Sequence, residues 1–269
     1  MSIRSELGQW LRGKGVFPKV NTFLVGVQKA GTSSLHNTLV RHPQIHGASQ
    51  PYAKETHFWN NNEVTKPKTL QEYHSLYPFK LGKSQRTLDS TPDYIYTPDT
   101  IREIHSYNPN SKYIVTLREP VSRAYSAWKM FNLKHQTNDV WRGAKHHDPR
   151  SFEEAIHEEL GGLCRYHFNY LNFGSYARMI DDLKTIVPEH QLKIIIIEED
   201  LYPNPKICLQ EIQKFLGVKT QELTLSRANK SKDKRKMDAA IEQKLTSYFE
   251  LKNVELRKLL NRPIPSWKS

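Results

Sequence analysis

The stretch that decides the fold is NTFLVGVQKAGTSSLHNTL, Asn21 to Leu39. It begins with an apolar run, continues through a loop that contains glycine, and ends in an amphipathic segment. The apolar run from Phe23 to Val27 is typical of a buried parallel strand. From Thr32 onward the apolar residues recur at nearly helical spacing, and Pro43 cannot continue a helix. The sequence therefore predicts a strand, a loop and a helix in succession.

The loop between this strand and this helix predicts an anion-binding site. Backbone N–H groups at a helix N-terminus and the helix dipole both favour negative charge. Gly26 and Gly31 are spaced as in the common triphosphate-binding loop, but in that loop a lysine follows the second glycine directly. Here Thr32 follows the second glycine, and the lysine lies inside the loop. The residues expected to contact the anion are Lys29, Ala30, Gly31, Thr32, Ser33 and Ser34.

A second strand and helix begin at KYIVTLREP, Lys112 to Pro120. The strand is predicted from Tyr113 to Leu117, and it ends in Arg118. An arginine at a strand end does not hold a metal ion, but it can bind an anion through two hydrogen bonds. Ser126, two turns into the following helix, can reach the same area. Two anion-binding points at adjacent strand ends indicate a nucleotide with phosphates at two separated positions.

The order of elements predicts an α/β fold with three layers, in which helices cover both faces of a central parallel sheet. A capping box is expected at Ser151 and Glu154. The chain from 1 to 269 is expected to form a single domain, with an N-terminal extension over 1–20 and a basic loop over 226–238. Further predicted elements are a helix from Pro98 to Tyr107, a helix marked by Tyr170, Phe173, Ala177, Ile180 and Leu183, a strand from Leu192 to Asp200, a helix closed by Gly217, and a last helix from Met237 to Leu260.

The composition is that of a basic folded protein. With 40 Lys and Arg against 28 Asp and Glu, the formal net charge is +12, which favours an anionic partner. The two cysteines make no disulfide framework, and no metal-binding spacing is present. We find no signal peptide, membrane span or nucleic-acid motif. A cytoplasmic location is expected, with the Golgi lumen as the alternative for a trimmed chain, and the oligomeric state is left open.

Several motifs together resemble one enzyme family. VQKAGTSSL resembles the 5′-phosphosulfate loop of the sulfotransferases, and LREPVSRAYS resembles their 3′-phosphate motif. KETHFW, from Lys54 to Trp59, is similar to a stretch in the heparan-sulfate type of these enzymes, as are DSTPDYIY, from Asp89 to Tyr96, and the tail from Tyr248 to Trp267. The resemblance implies 3′-phosphoadenosine 5′-phosphosulfate (PAPS) as the sulfuryl donor.

The resemblance also implies roles for individual residues. Sulfuryl transfer places less charge on the reacting centre than phosphoryl transfer, so no metal is expected to be required. Lys29 would stabilise the charge that develops on the leaving phosphate, and Glu55 would be the base that activates the acceptor. His57 is expected to orient Glu55 or to contact the sulfuryl oxygens, and Lys230 in the basic loop to bind a nucleotide phosphate.

The acceptor and two rival functions stay open at this point. The acceptor would be a hydroxyl of a glycan or of a small natural product, or an amine that becomes N-sulfated. One rival is a magnesium-dependent, kinase-like phosphoryl transferase, with the acidic strand end Glu198–Asp200 as its metal ligand. The other is a protein that binds an anionic polymer without catalysis. The motif also departs from the heparan-type pattern, since Asn60 and Ser90 stand where that pattern often has an acid and a lysine.

Overall fold

A parallel five-stranded sheet lies at the centre of the fold, with the strand order β2-β3-β1-β4-β5. Because all the paired strands are parallel, the carboxyl ends of β3, β1 and β4 lie side by side at one edge. The strands are β1 (Thr22–Gly26), β2 (Ile45–Gly47), β3 (Arg86–Asp89), β4 (Lys112–Leu117) and β5 (Leu192–Ile196). This computed structural model describes residues 18–50, 54–60, 66–78, 82, 84–137, 147–226, 228 and 233–267.

Helices connect the strands and cover the sheet. They are α1 (Thr32–Leu39), α2 (Leu70–Ser75), α3 (Pro98–Tyr107), α4 (Pro120–Thr137), α5 (Phe152–Leu160), α6 (Tyr176–Ile186), α7 (Pro205–Leu216) and α8 (Ala239–Leu260). Among these helices, none is both long and apolar enough to cross a lipid bilayer.

Alternating side chains of the central strands bury both faces of the sheet. Phe23 and Val115 pack in one apolar cluster with residues of α3 and α6. Leu24 and Ile114 point the other way and pack with residues of α1 and α7. These two clusters confirm the predicted α/β fold with helices on both sides of a parallel sheet.

Local signals placed most of the predicted elements correctly. At α5, Ser151 and Glu154 form the expected capping box. At the end of α7, Gly217 adopts a φ of 69°, in the left-handed region that favours glycine. The helix predicted around Tyr170 and Phe173 was wrong at its start, since Phe173 lies in a short 3-10 helix, Tyr170 lies in the turn before it, and α6 begins only at Tyr176.

The predicted strand from Leu192 to Asp200 is also too long. β5 ends at Ile196, and a π-helical turn follows over Ile197–Leu201. The physical reason is a side-chain contact, because Asp200 Oδ2 accepts a hydrogen bond from the Ile196 N–H at 2.7 Å. The carboxylate thereby occupies the backbone N–H of the last residue of β5, and the chain turns there instead of continuing as a strand.

Candidate active site

The loop after β1 enters α1 with the helix N-terminus open. Gly31 is the N-cap residue, and its φ of 78° is one that favours glycine. No side chain caps this end, and the first turn contains no acidic residue. Thr32 is buried, while Ser33 and Ser34 are half-buried in that turn. The uncapped N–H groups and the helix dipole therefore suit an anion.

Contacts from two neighbouring elements hold the loop in place. The Val27 N–H donates to the carbonyl of Thr116 in β4 at 2.9 Å. The Gln28 N–H donates to the hydroxyl of Tyr96 at 3.1 Å. Arg118 Nη1 donates to the carbonyl of Lys29 at 3.2 Å, so the arginine at the end of β4 touches the loop directly.

The side chain of Lys29 extends from the loop toward α4. Its Nζ lies 3.7 Å from Sδ of Met130. Ser126 lies four residues earlier in the same helix, a spacing that places both side chains on one helical face. Lys29, Arg118 and the face of α4 that carries Ser126 and Met130 therefore lie around one common space.

The N-terminus of α4, in contrast to that of α1, is already capped. The carboxylate of Glu119 accepts hydrogen bonds from the N–H groups of Val121 and Ser122 at 2.9 and 2.7 Å. The guanidinium of Arg118, next to Glu119, is a positive group that can still bind an anion at this strand end.

Glu55 lies between two basic side chains. Its Oε1 accepts a hydrogen bond from Lys54 Nζ, and its Oε2 lies 3.5 Å from Nε2 of His57. The side chain keeps 35% of its surface exposed, so an acceptor can reach it. Burial alone would raise the pKa of Glu55, but the charge of Lys54 and the hydrogen bonds from His57 and Lys54 hold that pKa well below its usual range. The carboxylate is therefore ionised at neutral pH.

Lys54 joins this carboxylate to the start of α1. Besides its contact with Glu55, its Nζ lies 3.5 Å from the hydroxyl oxygen of Thr32, the first residue of α1. One ammonium group thus contacts both the carboxylate and the open helix N-terminus. The sequence alone does not reveal this link, because Lys54 and Thr32 are 22 positions apart.

The ring of His57 is buried and has a partner at each nitrogen. Nδ1 lies 3.3 Å from Oδ1 of Asn60, and Nε2 faces Glu55. An amide oxygen only accepts, so with Asn60 in the assigned orientation Nδ1 carries a hydrogen, and donation from Nε2 to Glu55 as well requires the doubly protonated ring. Asn60, which replaces the acid of the heparan-type pattern, therefore still orients the ring.

Tyr202 borders the same loop, although no sequence signal pointed to it. A Cβ atom added to Gly31 would lie 3.5 Å from the Tyr202 hydroxyl. The residue is 53% exposed, which is unusual for a large aromatic side chain. Partial burial raises the pKa of its phenol, and the positive charge of Arg118 opposes the rise.

The segment that precedes α8 lies along α1. The Ser226 N–H donates to the hydroxyl of Thr38 at 2.8 Å, and the Ala228 N–H donates to that of Ser34 at 3.2 Å. The basic loop therefore begins beside the C-terminal part of α1, and by Ala228 it has reached the first turn of that helix. Lys230, the residue predicted to bind phosphate there, lies outside the described residues.

Comparison with known proteins identifies the family. The model of the family described as Sulfotransferase domain matches residues 19–262, which is most of the chain. The chain belongs to the sulfotransferase family. The predicted resemblance is thereby confirmed at the level of the family.

Individual relatives of this sulfotransferase include heparan sulfate enzymes. It is 28% identical over 280 residues to the mouse (Mus musculus) bifunctional heparan sulfate N-deacetylase/N-sulfotransferase 3, covering 91% of this chain and 30% of that protein. It is also 28% identical over 216 residues to mouse heparan sulfate glucosamine 3-O-sulfotransferase 3B1, covering 80% of this chain and 50% of that protein. The chain thus spans half or less of the length of these relatives.

A solved structure shows the same fold. The crystal structure of a sulfotransferase from Alicyclobacillus acidocaldarius superposes with a TM-score of 0.74, covering 94% of this chain and all of that one, at 24% sequence identity. At this level of identity the likeness establishes the shared architecture of the sheet and helices.

The acidic turn after β5 has structural partners in this sulfotransferase. Glu198 accepts the Glu119 N–H at 3.1 Å and the Trp267 indole N–H at 3.2 Å. Glu199 accepts the Ser266 N–H at 2.7 Å, and Asp200 pairs with Arg262. Each of the three acids thus has a partner within the protein. Within the part of the chain that the structure describes, no group of three or more His, Cys, Asp or Glu side chains is placed to hold a metal.

Proposed function

We propose that this chain transfers a sulfuryl group from PAPS to a hydroxyl group of an acceptor, with Glu55 as the base. The observation that carries the proposal is the position of Lys54, whose Nζ contacts both the Glu55 carboxylate and Thr32 at the start of α1. Through this contact the proposed base adjoins the loop that would hold the phosphosulfate. The proton acceptor and the donor-binding loop therefore belong to one site.

The described residues fit a donor with two phosphate positions. The open N-terminus of α1, with its uncapped N–H groups and the hydroxyls of Ser33 and Ser34, suits the 5′-phosphosulfate. Arg118 lies at the adjacent strand end and suits the 3′-phosphate through paired hydrogen bonds. Ser126 on α4 and Lys230 in the basic loop would complete the nucleotide site.

In the proposed reaction Glu55 takes the proton of the acceptor hydroxyl as its oxygen bonds to sulfur. The bond between sulfur and the bridging oxygen breaks in line, and adenosine 3′,5′-bisphosphate (PAP) leaves. Lys29 stabilises the charge on the departing phosphate. Lys54 is drawn toward the donor's negative charge, which relieves Glu55 of its nearest positive neighbour and makes it a stronger base. His57 keeps the carboxylate oriented and can contact the sulfuryl oxygens.

The acceptor is proposed as a glycan or a small molecule with a free hydroxyl. The matched relatives carry both N-sulfotransferase and 3-O-sulfotransferase names at 28% identity. N-sulfation of an amine is therefore the second candidate, because the same carboxylate can take a proton from nitrogen.

The test is incubation of the purified chain with sulfur-labelled PAPS and a panel of glycans, small alcohols and amines. Mass spectrometry should reveal a sulfonated product whose formation continues in excess EDTA. Glu55→Gln serves as the control for background transfer. Turnover that requires magnesium, or PAPS that does not bind, would overturn the proposal.

A further inference from the structure

A buried carboxylate lies behind the proposed catalytic segment. Asp89, the last residue of β3, is fully buried. Its Oδ2 accepts hydrogen bonds from the hydroxyls of Thr56 at 2.7 Å, Tyr73 at 2.9 Å and Tyr94 at 3.1 Å. Its Oδ1 accepts one from Thr91 at 2.7 Å. Four hydroxyl groups thus converge on one side chain, two from the turn that follows β3 and two from the distant residues Thr56 and Tyr73.

This arrangement suits an ionised Asp89. A carboxylate only accepts hydrogen bonds, whereas a protonated carboxyl group must also donate one. Burial raises the pKa of Asp89, and the hydrogen bonds from these hydroxyls oppose that rise. Hydrogen bonds to a charged group are stronger than those between neutral groups. The four hydroxyls and the Asp89 carboxylate are therefore held firmly together, because the loss of any donor would leave a buried charge with fewer hydrogen bonds.

One of the four hydroxyls belongs to the catalytic segment itself. Thr56 stands between Glu55 and His57, and its buried side chain bonds to Asp89, while the Glu55 carboxylate lies between Lys54 and His57. The Thr56 N–H also donates to the Thr91 hydroxyl at 3.1 Å. The residue is thus fixed to the cluster by both its side chain and its backbone.

The residues on either side of Thr56 are fixed as well. The Ser90 N–H, next to Asp89, donates to the Lys54 carbonyl at 3.1 Å, and the His57 N–H donates to the Thr91 hydroxyl at 3.4 Å. His57 has a φ of 50°, a left-handed conformation that a non-glycine residue adopts at a cost and that needs surrounding contacts to persist. These contacts therefore hold the segment from Lys54 to Phe58 against the carboxyl end of β3.

We infer that Asp89 is a positioning residue for the transfer reaction, acting through Thr56 to hold Glu55 and His57 at the donor loop. The inference rests on the proposed function of Glu55 as the base. Asp89 itself touches neither donor nor acceptor, so its effect belongs in kcat and not in donor affinity. Misplacement of a catalytic group by about 1 Å can cost on the order of 100-fold in rate.

A purely structural role for the cluster makes a different prediction. In that case every hydroxyl that bonds to Asp89 would be equivalent, and its removal would lower stability without changing the turnover of the folded protein. Tyr73 provides the matched control. Its hydroxyl bonds to the same oxygen as that of Thr56, but its ring stacks on Phe58 at 4.5 Å and would stay in place in Tyr73→Phe.

The experiment compares Thr56→Val, Thr56→Ser and Tyr73→Phe in the full chain. For each variant, kcat and KM for PAPS, the Kd for PAP and the melting temperature are measured. We expect both Thr56→Val and Tyr73→Phe to lower the melting temperature. Only Thr56→Val should lower kcat, by about 10- to 100-fold, with KM for PAPS and Kd for PAP within about twofold of the wild type. Thr56→Ser restores the hydroxyl and should restore kcat.

Two results would overturn the inference. One is equal kcat in folded Thr56→Val and Tyr73→Phe, which would make the cluster structural only. The other is a loss of PAP affinity in Thr56→Val that matches its loss of turnover. Failure of the proposed function is distinguishable from both, because the wild-type chain would then show no sulfuryl transfer at all.

Discussion

The side-chain nitrogen of Lys29 lies 3.7 Å from the sulfur of Met130, so the loop lysine spans the gap between the strand β1 and the helix α4. A lysine inside the loop, instead of after its second glycine, thus extends toward α4. In the proposed reaction this lysine stabilises the charge on the departing phosphate.

Replacing Lys29 should therefore affect both binding and chemistry. Lys29→Ala removes a positive charge from the donor site, and we expect kcat to fall by about 100- to 1000-fold, as for the loss of one oxyanion donor. The Kd for PAPS should rise as well. Met130→Leu conserves volume at the contact and should leave both values nearly unchanged. Steady-state kinetics and calorimetry check this, and an unchanged kcat in Lys29→Ala would remove the lysine from the mechanism.

Glu55 should be needed for transfer but not for nucleotide binding. Glu55→Gln keeps the shape of the side chain and loses the proton acceptor, so we expect turnover to fall by about 100- to 10,000-fold. Calorimetric titration with PAP should give an affinity close to that of the wild type. If affinity and turnover fell together, Glu55 would be a donor-binding residue and the base would have to be found elsewhere.

The pH dependence of the reaction should report on Lys54. Ionisation of the base in the free enzyme sets the acidic limb of kcat/KM. Because Lys54 and His57 hold the pKa of Glu55 well below its usual range, the wild type should show no acidic limb from Glu55 above about pH 4.3. Lys54→Met removes the nearest positive charge and leaves burial, which raises the pKa.

In Lys54→Met the acidic limb should therefore move upward into the measurable range. The profile of kcat/KM is recorded from pH 4.5 to 8 for both proteins, with buffers chosen at about constant ionic strength because exposed charges are screened by salt. Lys193→Met, which removes a cation on β5, is the control and should keep the wild-type profile. Identical profiles in wild type and Lys54→Met would contradict the coupling.

Arg118 should recognise the 3′-phosphate in particular. Hydrogen bonds to charged groups contribute about 1.5–3 kcal/mol, so Arg118→Met should raise the Kd for PAPS by about 10- to 150-fold. Adenosine 5′-phosphosulfate lacks the 3′-phosphate, and its weaker binding should change little in the same variant. An equal loss for both nucleotides would mean that Arg118 acts by supporting the loop through its bond to the Lys29 carbonyl.

The parts of the fold that sequence reasoning found are those with local signals. β1, the loop and α1 form a continuous pattern of apolar run, glycines and helical spacing, and β4 with α4 repeats it with Pro120 in the first helical turn. β2 and β3 were missed because they are three and four residues long, and β3 carries an arginine, a threonine and an aspartate. Strands this short have no periodicity to detect.

The site was predictable in part for a similar reason. The loop residues and Arg118 follow strands that the sequence indicates, so their meeting at one sheet edge follows from parallel topology. Glu55 lies in a segment with no secondary-structure signal, and only the resemblance selected it. The contacts that place it, from Lys54 to Thr32 and from Thr56 to Asp89, join residues 22 and 33 positions apart. Such pairings depend on the tertiary fold.

The C-terminal tail should stabilise the nucleotide end of the site. Trp267 is buried, and its indole N–H donates to Glu198, which also accepts the N–H of Glu119 beside Arg118. Trp267→Phe removes that donor and some packing, so we expect the free energy of unfolding to fall by about 1–3 kcal/mol, measured by urea denaturation. Leu251→Ala, at a side chain that is 75% exposed, should change it by less than about 0.5 kcal/mol.

The same variant should also weaken the binding of PAP, because Glu198 helps to fix the backbone next to Arg118. We expect a rise of a few-fold in the Kd for PAP in folded Trp267→Phe, and a smaller rise for adenosine 5′-phosphate. If Trp267→Phe is less stable but binds PAP as tightly as the wild type, the tail stabilises the fold without affecting nucleotide binding. In that case the bond from Glu119 to Glu198 would not be needed to hold Arg118 in position.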